Sequence, residues 1–577
     1  MNELNPVVWK LKPPSPSASQ LAHEAGLSTL QAQLLINRGI STPTQAMSFL
    51  NPRLNNMADP MLMTGMSDAL AIILKAIENR KKITIYGDYD ADGLTATALL
   101  LNFFSSLGIQ VSSYIPDRLR EGYSLNSKAI SEIAEKRTGL IITVDCGTTN
   151  AREIALAKTL GVNVVVTDHH QVPEDFQPQC PVVNPHQPGC PFPFKDLAGV
   201  GLAFFLTVAV RTALRETGWF RTRPEPDLKE YLDLVALGTV ADRVPLLDQN
   251  RILVHYGIGV MAKSRWPGIS AMKEVAGIAN TEITADDLAF RLGPRLNAPG
   301  RMGDSRIGIR ALTVHEPTLA RDLALRINAA NNQRQGVEQN ILNQIEGVIE
   351  SDEGIRDSRT IVMAGENWHK GVLGIVASRL VDKYHRPSLV LNIQDDLASG
   401  SGRSIDGFNL YQALTKLGPL FEKFGGHAHA AGFTLKAANL HTLKKELESL
   451  ARKTLKDSDL VPAIEIDAEI PLDNISTEMI HKIRALSPFG EGNPEPIFFA
   501  GLLEVLESRV VGERHLKLRV RQGKSSYEAI GFGMADKHPL EGKTVNMVFT
   551  PEIDRWQGYE KIQLRIADMR EPGSLKG

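Results

Sequence analysis

The chain has 577 residues, 43% of them apolar and 23% charged. That is too long for one hydrophobic core and too ordinary a composition for a disordered, collagen-like or fibrous chain; at roughly 150 residues per domain, about four domains are expected. Lys and Arg number 64 against 66 Asp and Glu, a net charge of −2, so no global field announces a nucleic-acid or membrane partner, and any such site must be local or borrow charge from a metal.

Residues 1–50 combine a Pro/Ser-rich opening (Pro13, Pro14, Ser15, Pro16, Ser17) with short helical patterns and read as a helical lead-in. The first residues lack the basic start and apolar run of a signal peptide. Ser67 and Asp68 are suited to cap a helix over 69–80. Residues 82–86, 111–115, 140–144 and 162–166 read as strands. A helix with Ala96, Leu99, Leu100 and Phe103 on its apolar side follows the first of them, and another spans 151–160. Strands alternating with helices predict βαβ units and a parallel sheet. The uncharged apolar stretch 197–210 is too short to span a bilayer and reads as a buried helix.

A long helical pattern runs over 317–350, with Pro317 at its start. The α/β pattern then returns, with strands at 360–363 and 387–391 around a helix at 372–381. Beyond 460, strand-like runs at 502–505, 515–521, 527–532, 545–549 and 562–566 alternate with Gly and polar turns, as in a small β-barrel or sandwich. The expected division is 1–50 lead-in, 51–265 α/β domain, 266–350 helical connector, 351–457 second α/β domain and 458–577 small β domain. Three cysteines, Cys146, Cys180 and Cys190, do not make a disulfide scaffold and suit a reducing cytosol. Cys180, His186 and Cys190 lie close in sequence but lack a fourth zinc ligand at a recognised spacing.

Acids recur where strands or apolar segments end. Asp88, Asp90 and Asp92 follow the strand at 82–86, Asp145 follows 140–144, and Asp168, His169 and His170 follow 162–166. Asp242 trails the apolar run 234–237. In an open α/β sheet, ligands bind outside the carboxyl ends of strands. A lone Asp-x-Asp would read as a solvated turn, but four such ends point to one convergent site. Carboxylates mixed with imidazole suit Mn²⁺ or Mg²⁺. Six or seven such groups can hold two divalent ions roughly 3.5–4 Å apart, a pair able to activate water and stabilise the leaving oxygen of a phosphoryl displacement. No Walker A sequence is present, and Cys146 reads as a buried thiol. Two Gly-rich segments, 399–404 and 424–433, carry Ser401, Arg403, His427 and His429, groups that suit an anion.

The motif DHH, with its preceding DYDADG, resembles the DHH phosphoesterase superfamily, and GGHAHAAGF resembles the DHHA1 domain that follows it there. Together with IPDRLREGYSL, VDCG, NPH, GTVADRVPL, RLGPRLNAPGRMGD, WHKGVLGIVASRL, SGSGRS and SPFGEGNPEP, these segments resemble the bacterial RecJ family of single-strand-specific DNA exonucleases, from about residue 30 to the C-terminus. The resemblance implies a DHH domain and a DHHA1 domain joined by a long helix, then an OB-fold. It also implies 5′-to-3′ hydrolysis of single-stranded DNA to 5′-mononucleotides, with two Mn²⁺ or Mg²⁺ ions per site. Roles in recombination and mismatch repair follow from it, with single-strand-binding protein and a RecQ-type helicase as partners of a cytoplasmic monomer.

By the same resemblance, Asp90, Asp92, Asp145, His169 and Asp242 correspond to metal ligands, with Asp145 bridging. Asp88 matches the first acid of its motif and joins the ligand set. His170 would face the scissile phosphate, completing the catalytic group, and Asp168 would orient a neighbour. Arg118, Arg301, Ser401, Arg403, His427 and His429 match positions that hold the strand or its terminal phosphate.

The last domain has its own signal. Arg509, Arg514, Lys517, Arg519, Arg521 and Lys524 face one acid, Glu513, within residues 509–524. Alternation puts Lys517, Arg519 and Arg521 on one strand face, suited to tracking a backbone. Two other readings are a DHH phosphodiesterase acting on short oligonucleotides or cyclic dinucleotides, and a non-catalytic single-strand-binding replication subunit. The length and basic strand favour a polymer substrate, and the unbroken acid set favours catalysis.

Overall fold

The computed structural model describes residues 7–118, 120–556 and 559–573. The chain divides into two compact units. One comprises Pro52–Thr454 with Gly490–Gly492; the other comprises Met1–Asn51, Leu455–Phe489 and Asn493–Gly577.

In the first unit, helix α1 (Met66–Glu78) leads into β1 (Ile83–Gly87), α2 (Ala91–Ser106), β2 (Val111–Tyr114), α3 (Ser127–Glu135), β3 (Leu140–Val144), α4 (Ala151–Thr159), β4 (Asn163–Thr167) and β5 (Val182–Val183). The strands form one parallel sheet in the order β2-β1-β3-β4-β5. The apolar runs that read as strands are strands, because a parallel sheet covered on both faces needs near-continuous Val and Ile. Helix α1 begins earlier than its expected cap. Gly65 is the N-cap, and Ser67 and Asp68 lie in the first turn, where Asp68 suits the positive end of the helix dipole.

Residues 197–210 fall largely in the buried helix α5 (Gly199–Glu216). The run 234–237 is no strand: it lies in α6 (Leu232–Ala241), in which every residue through Val240 is buried. An all-apolar run buried on all sides shows neither period. Helix α7 (Gly293–Met302) packs beside α8 (Pro317–Ser351), the long helix. Two cores share α8. Ala320, Leu323, Ala324 and Ile327 join the first, while Ile341, Leu342, Ile345 and Ile349 join a second core around Ile361, Val376 and Leu380.

That second core underlies a mixed sheet of β6 (Ile361–Glu366), β7 (Ser388–Gln394), β8 (Leu397–Arg403), β9 (Phe421–Gly426) and β10 (Ala430–Lys436), in the order β9-β10-β8-β7-β6, with α9 (Leu373–Tyr384) packed on β7 and β8. β6 and β7 pair parallel and the other neighbours antiparallel.

In the second unit, β11 (Phe498–Val511), β12 (His515–Gln522), β13 (Ser525–Gly531), β14 (Thr544–Trp556) and β15 (Tyr559–Arg570) pair in the order β11-β12-β13-β15-β14, and β14 also pairs with β11, closing a five-stranded barrel. The expected strands at 545–549 and 562–566 are pieces of strands of 13 and 12 residues. The same unit holds the N-terminal helices. Asp467 is the tie: Asn37 Nδ2 donates to its Oδ1 at 3.0 Å, and Lys12 Nζ lies 3.4 Å from that oxygen. Among the described residues, no single helix is long and apolar enough to cross a membrane.

Candidate active site

Sheet register assembles the site. Gly87 pairs with Val144, and Val144 with Thr167, so β1, β3 and β4 end level. The next residue of each is therefore Asp88, Asp145 or Asp168, three carboxylates in a row on the carboxyl edge. Asp145 takes a left-handed backbone, φ +60°, a conformation that costs a non-glycine residue energy and clusters at functional sites.

The turn after β1 supplies two more acids. Asp90 is the N-cap of α2, its Oδ1 accepting from the Gly93 N–H at 3.1 Å. Asp92, in the first turn, reaches the N-terminus of α5, where its two oxygens accept from Gly199 N–H at 2.6 Å and Val200 N–H at 2.8 Å. Asp242 comes from the C-terminal end of α6. A carboxylate there opposes the helix dipole and gains from a nearby cation.

These groups converge. Donor atoms of Asp88, Asp90 and Asp145 lie within 4.8 Å of one another, as do those of Asp92, His169 and Asp242, and those of Asp145, His169 and His170. Asp145 joins the sets: its Oδ1 is 3.0 Å from His169 Nε2, which is 3.8 Å from Asp92 Oδ2 and 3.7 Å from Asp242 Oδ2.

Burial makes the arrangement costly without a cation. Asp88, Asp92 and Asp145 are only 3%, 1% and 3% exposed. Desolvation and then the neighbouring acids push the carboxyls of Asp88, Asp145 and Asp242 well above the usual range. Asp92 rises to about 7 for the same two reasons, against the pull of the Val200 and Gly199 N–H groups. Asp88 Oδ1 is buried with no hydrogen-bond partner among the described residues. Burial and then His170 depress His169 to about 4, so it is neutral near pH 7 and has a lone pair to offer. An unsatisfied buried acceptor, crowded carboxyls and a neutral imidazole are what a pair of hard divalent cations would satisfy.

Asp168 differs. Burial alone would raise it, but the His170 hydrogen bond and charge, and the Thr148 N–H at 2.9 Å, outweigh burial and hold it below the usual carboxylate range. Its Oδ1 lies 2.7 Å from His170 Nδ1. Burial pulls His170 down, yet Asp168 more than compensates and its value is raised. The Asp168 carboxylate thus favours the protonated form of this half-exposed ring. Two contributors escaped the motif reading as individual residues. Tyr123 Oη lies 3.1 and 3.3 Å from the ring nitrogens of His170 and donates to the Asp145 carbonyl at 3.3 Å. Asn184 Nδ2 donates to the His170 carbonyl at 2.9 Å. Both lay within segments already singled out, EGYSL and NPH, which was the available signal.

Beside the acids is a cationic group. Burial first, then Arg118, Arg334 and Arg403, pulls Arg301 down to about 10, with Asp90 opposing. Burial and Arg118 likewise lower Arg403. Arg118, stacked 5.1 Å over the Tyr89 ring, Arg301 and Arg403 therefore share one neighbourhood with Asp90. Arg403 Nη1 donates to Ser401 Oγ at 3.2 Å. His427 and His429 sit on the β9–β10 turn with ring centroids 6.4 Å apart. Partial burial, then His429 and Arg403, lower His427, which puts that turn beside the same guanidinium.

Lys517, Arg519 and Arg521 form no such group. Each has a carboxylate from an adjacent strand: Glu528 at 2.9 Å, Glu507 at 3.5 Å and Glu504 at 2.6 Å. The local positive charge in the sequence is offset across the barrel.

The fold and the acid row define a DHH-type protein. Residues 82–239 match the DHH family N-terminal domain, 357–453 the DHHA1 domain and 466–568 the RecJ OB domain. The chain is 36% identical over 567 residues to the single-stranded-DNA-specific exonuclease RecJ of Bacillus subtilis, covering 97% of this chain and 70% of that one. It is 36% identical over 563 residues to the Salmonella typhimurium enzyme of the same name, covering 94% and 96%. The crystal structure of RecJ in complex with Mn²⁺ from Thermus thermophilus superposes with a TM-score of 0.83 at 29% identity, over 99% of this chain and 80% of that one. The chain belongs to the RecJ family.

Proposed function

We propose that this protein is a two-metal exonuclease that degrades single-stranded DNA from its 5′ end and releases 5′-mononucleotides. One observation carries the reading: two three-ligand groups, Asp88–Asp90–Asp145 and Asp92–His169–Asp242, meet at Asp145, with the Arg118, Arg301 and Arg403 guanidiniums alongside. The polarity and product follow from family resemblance. The RecJ OB match adds a module suited to a polymer substrate.

In this reading Asp88, Asp90, Asp92, Asp145, His169 and Asp242 hold two Mn²⁺ or Mg²⁺ ions, with Asp145 shared. When bound, such a pair supplies a nucleophile from water and stabilises the leaving oxygen. The protein's own groups do the rest. Asp168 accepts from His170 Nδ1 and favours the protonated ring, whose Nε2–H would face the charge that develops on the phosphate. Arg118, Arg301, Ser401, Arg403, His427 and His429 hold the 5′ end and its phosphate, fixing the scissile bond one nucleotide away. Lys517, Arg519 and Arg521 exchange glutamate partners for phosphates of a longer strand.

The same resemblance supports roles in recombination and mismatch repair. It also supports work alongside single-strand-binding protein and a RecQ-type helicase, a monomeric state and a cytoplasmic location. Digestion of 5′- and 3′-labelled single- and double-stranded DNA with Mn²⁺, Mg²⁺ or EDTA tests the core of the proposal. Mononucleotide released first from the 3′ end, or cleavage that persists in EDTA, would overturn it.

A further inference from the structure

Two helices of the first unit, α8 and α9, meet at one buried carboxylate. Glu338, on α8, is 6% exposed. Its Oε2 accepts from Arg334 Nη1 at 2.8 Å, one turn earlier on the same helix. Its Oε1 accepts from Arg379 Nε at 3.2 Å, on α9. Arg334 also donates to Asn331 Oδ1 at 3.2 Å, while its buried Nε has no hydrogen-bond partner among the described residues.

Both helices lead to the cationic group beside the acids. Helix α9 lies against Ser401 and Arg403: a Cβ added to Gly374 would sit 3.0 Å from both Arg403 Nη2 and Ser401 Oγ. Arg379 is five residues further along α9. Helix α7, packed beside α8, carries Arg301 in its last turn. Arg301 is in turn close to the segment before α9, since a Cβ on Gly371 would come within 2.1 Å of the Arg301 carbonyl. Arg334 is itself among the charges that depress Arg301. Thus Arg301 reaches the pocket from the α7–α8 side, Ser401 and Arg403 reach it from the β8–α9 side, and Glu338 joins the two.

We propose that Glu338 is a positioning residue for 5′-phosphate recognition: by holding Arg334 and Arg379 together it sets the span between Arg301 and Arg403. This rests on the reading of that cluster as the terminal-phosphate pocket. The physical need is plain. Arg334 and Arg379 meet at Glu338 and repel one another, and Arg334 in turn acts on Arg301, which also feels Arg118 and Arg403. A carboxylate at the joint offsets part of that repulsion while fixing two helices by charge-assisted hydrogen bonds. Two cations that must grip one phosphate lose their joint action when the spacing between them is free to drift.

The test compares kcat and KM for single-stranded oligonucleotides with a 5′-phosphate and with a 5′-hydroxyl, in the full-length protein loaded with Mn²⁺. Arg379 has a side chain 63% exposed, so Arg379→Ala breaks the tie with little threat to folding, and Glu338→Gln is the second variant. Each should shrink the preference for the 5′-phosphate about tenfold, the scale expected of residues coupled in one ion-pair network. The change should appear in KM for the phosphorylated strand, with kcat and the 5′-hydroxyl substrate nearly unchanged. The double variant should lose no more than either single one. A wild-type preference in both variants, or equal losses on both substrates, would overturn the assignment. Arg403→Ala is the control for the underlying pocket. If it leaves the preference intact, the pocket reading fails and the clamp with it; if it removes the preference while the other two keep it, the clamp alone fails.

Discussion

Asp92 and Gly199 lie 107 residues apart in sequence, yet the Gly199 N–H donates to Asp92 Oδ2 at 2.6 Å. The contact puts a buried acid against the positive end of α5 and leaves no room for a side chain. A Cβ on Gly199 would sit 2.8 Å from Asp145 Cβ and 2.9 Å from Asp92 Oδ2. Gly199→Ala should therefore displace two proposed metal ligands at once. A drop in kcat of roughly 10²-fold or more is expected, the cost of misplacing reacting groups by about 1 Å, with weakened Mn²⁺ binding by calorimetry. Wild-type Mn²⁺ affinity in this variant would contradict the assignment of Asp92 and Asp145.

Asp145→Asn should separate stability from function. Desolvation, then Asp92, Asp90, Asp242 and Asp88, disfavours the charged Asp145, so removing its charge relieves repulsion in the metal-free protein. The metal-free Tm should rise. At about 100 times the dissociation constant, Mn²⁺ should stabilise the wild type by about 2.7 kcal/mol, and the variant should lose most of that increment together with cleavage. Binding of single-stranded DNA should survive better than catalysis, because the arginine group is untouched. An Asp145→Asn protein with undiminished Mn²⁺ stabilisation would rule out a shared ligand.

His170→Ala should lower kcat by roughly 10²–10³, the usual cost of losing a donor aimed at developing charge, while both metal equivalents remain. Asp168→Asn should follow it, because the Asp168 hydrogen bond and charge are what keep His170 raised. Loss of a full metal equivalent on His170 replacement would instead make that imidazole a metal ligand, an arrangement the Asp145–His169–His170 grouping leaves room for.

The contrast between these residues shows what the sequence made legible. Asp88, Asp145 and Asp168 were readable because each follows its own apolar strand, and parallel register then aligns them without further information. Asp242 was readable because it trails an apolar run, though that run is a buried helix and so the sheet register did not place it. The Gly199 and Val200 N–H groups that receive Asp92 were invisible, because backbone donors carry no residue signature. Glu338 was hidden differently: spaced four residues after Arg334, it looks like any solvated helix pair, and only tertiary packing buries it.

Away from the site, Asp233 makes a pH-dependent contribution to stability. It is fully buried, with Ser264 Oγ donating at 2.6 Å and the Leu234 N–H at 2.7 Å. Burial raises its carboxyl to about 6 despite those donors. With the folded value above the unfolded one of about 3.9, the protonated group's contribution is fully present below about pH 4 and is lost as pH rises through 6. Asp233→Asn stays neutral throughout. It should flatten the stability profile between pH 4 and 6 by roughly 2–3 kcal/mol, at 1.36 kcal/mol per unit. Urea unfolding across that range is the measurement, and parallel profiles for the two proteins would refute the shift.

The barrel's cations allow a test in both directions. Charge counting along 509–524 missed Glu504, Glu507 and Glu528, because they lie on neighbouring strands and face Arg521, Arg519 and Lys517. Exposed pairs of this kind are weak, about 0–1 kcal/mol each, so a phosphate backbone can displace the glutamates. Replacing the three cations by Ala should flatten the salt dependence of long single-strand binding by less than the roughly 0.7 per contact of unpaired cations, since glutamates are released as phosphates are engaged. Replacing the three glutamates by Gln should do the opposite, tightening long-strand binding and steepening its salt dependence, with hydrolysis of a very short oligonucleotide unchanged. If the Gln variant binds long strands no more tightly than the wild type, this face is a solvated ion-pair ladder and not a DNA track.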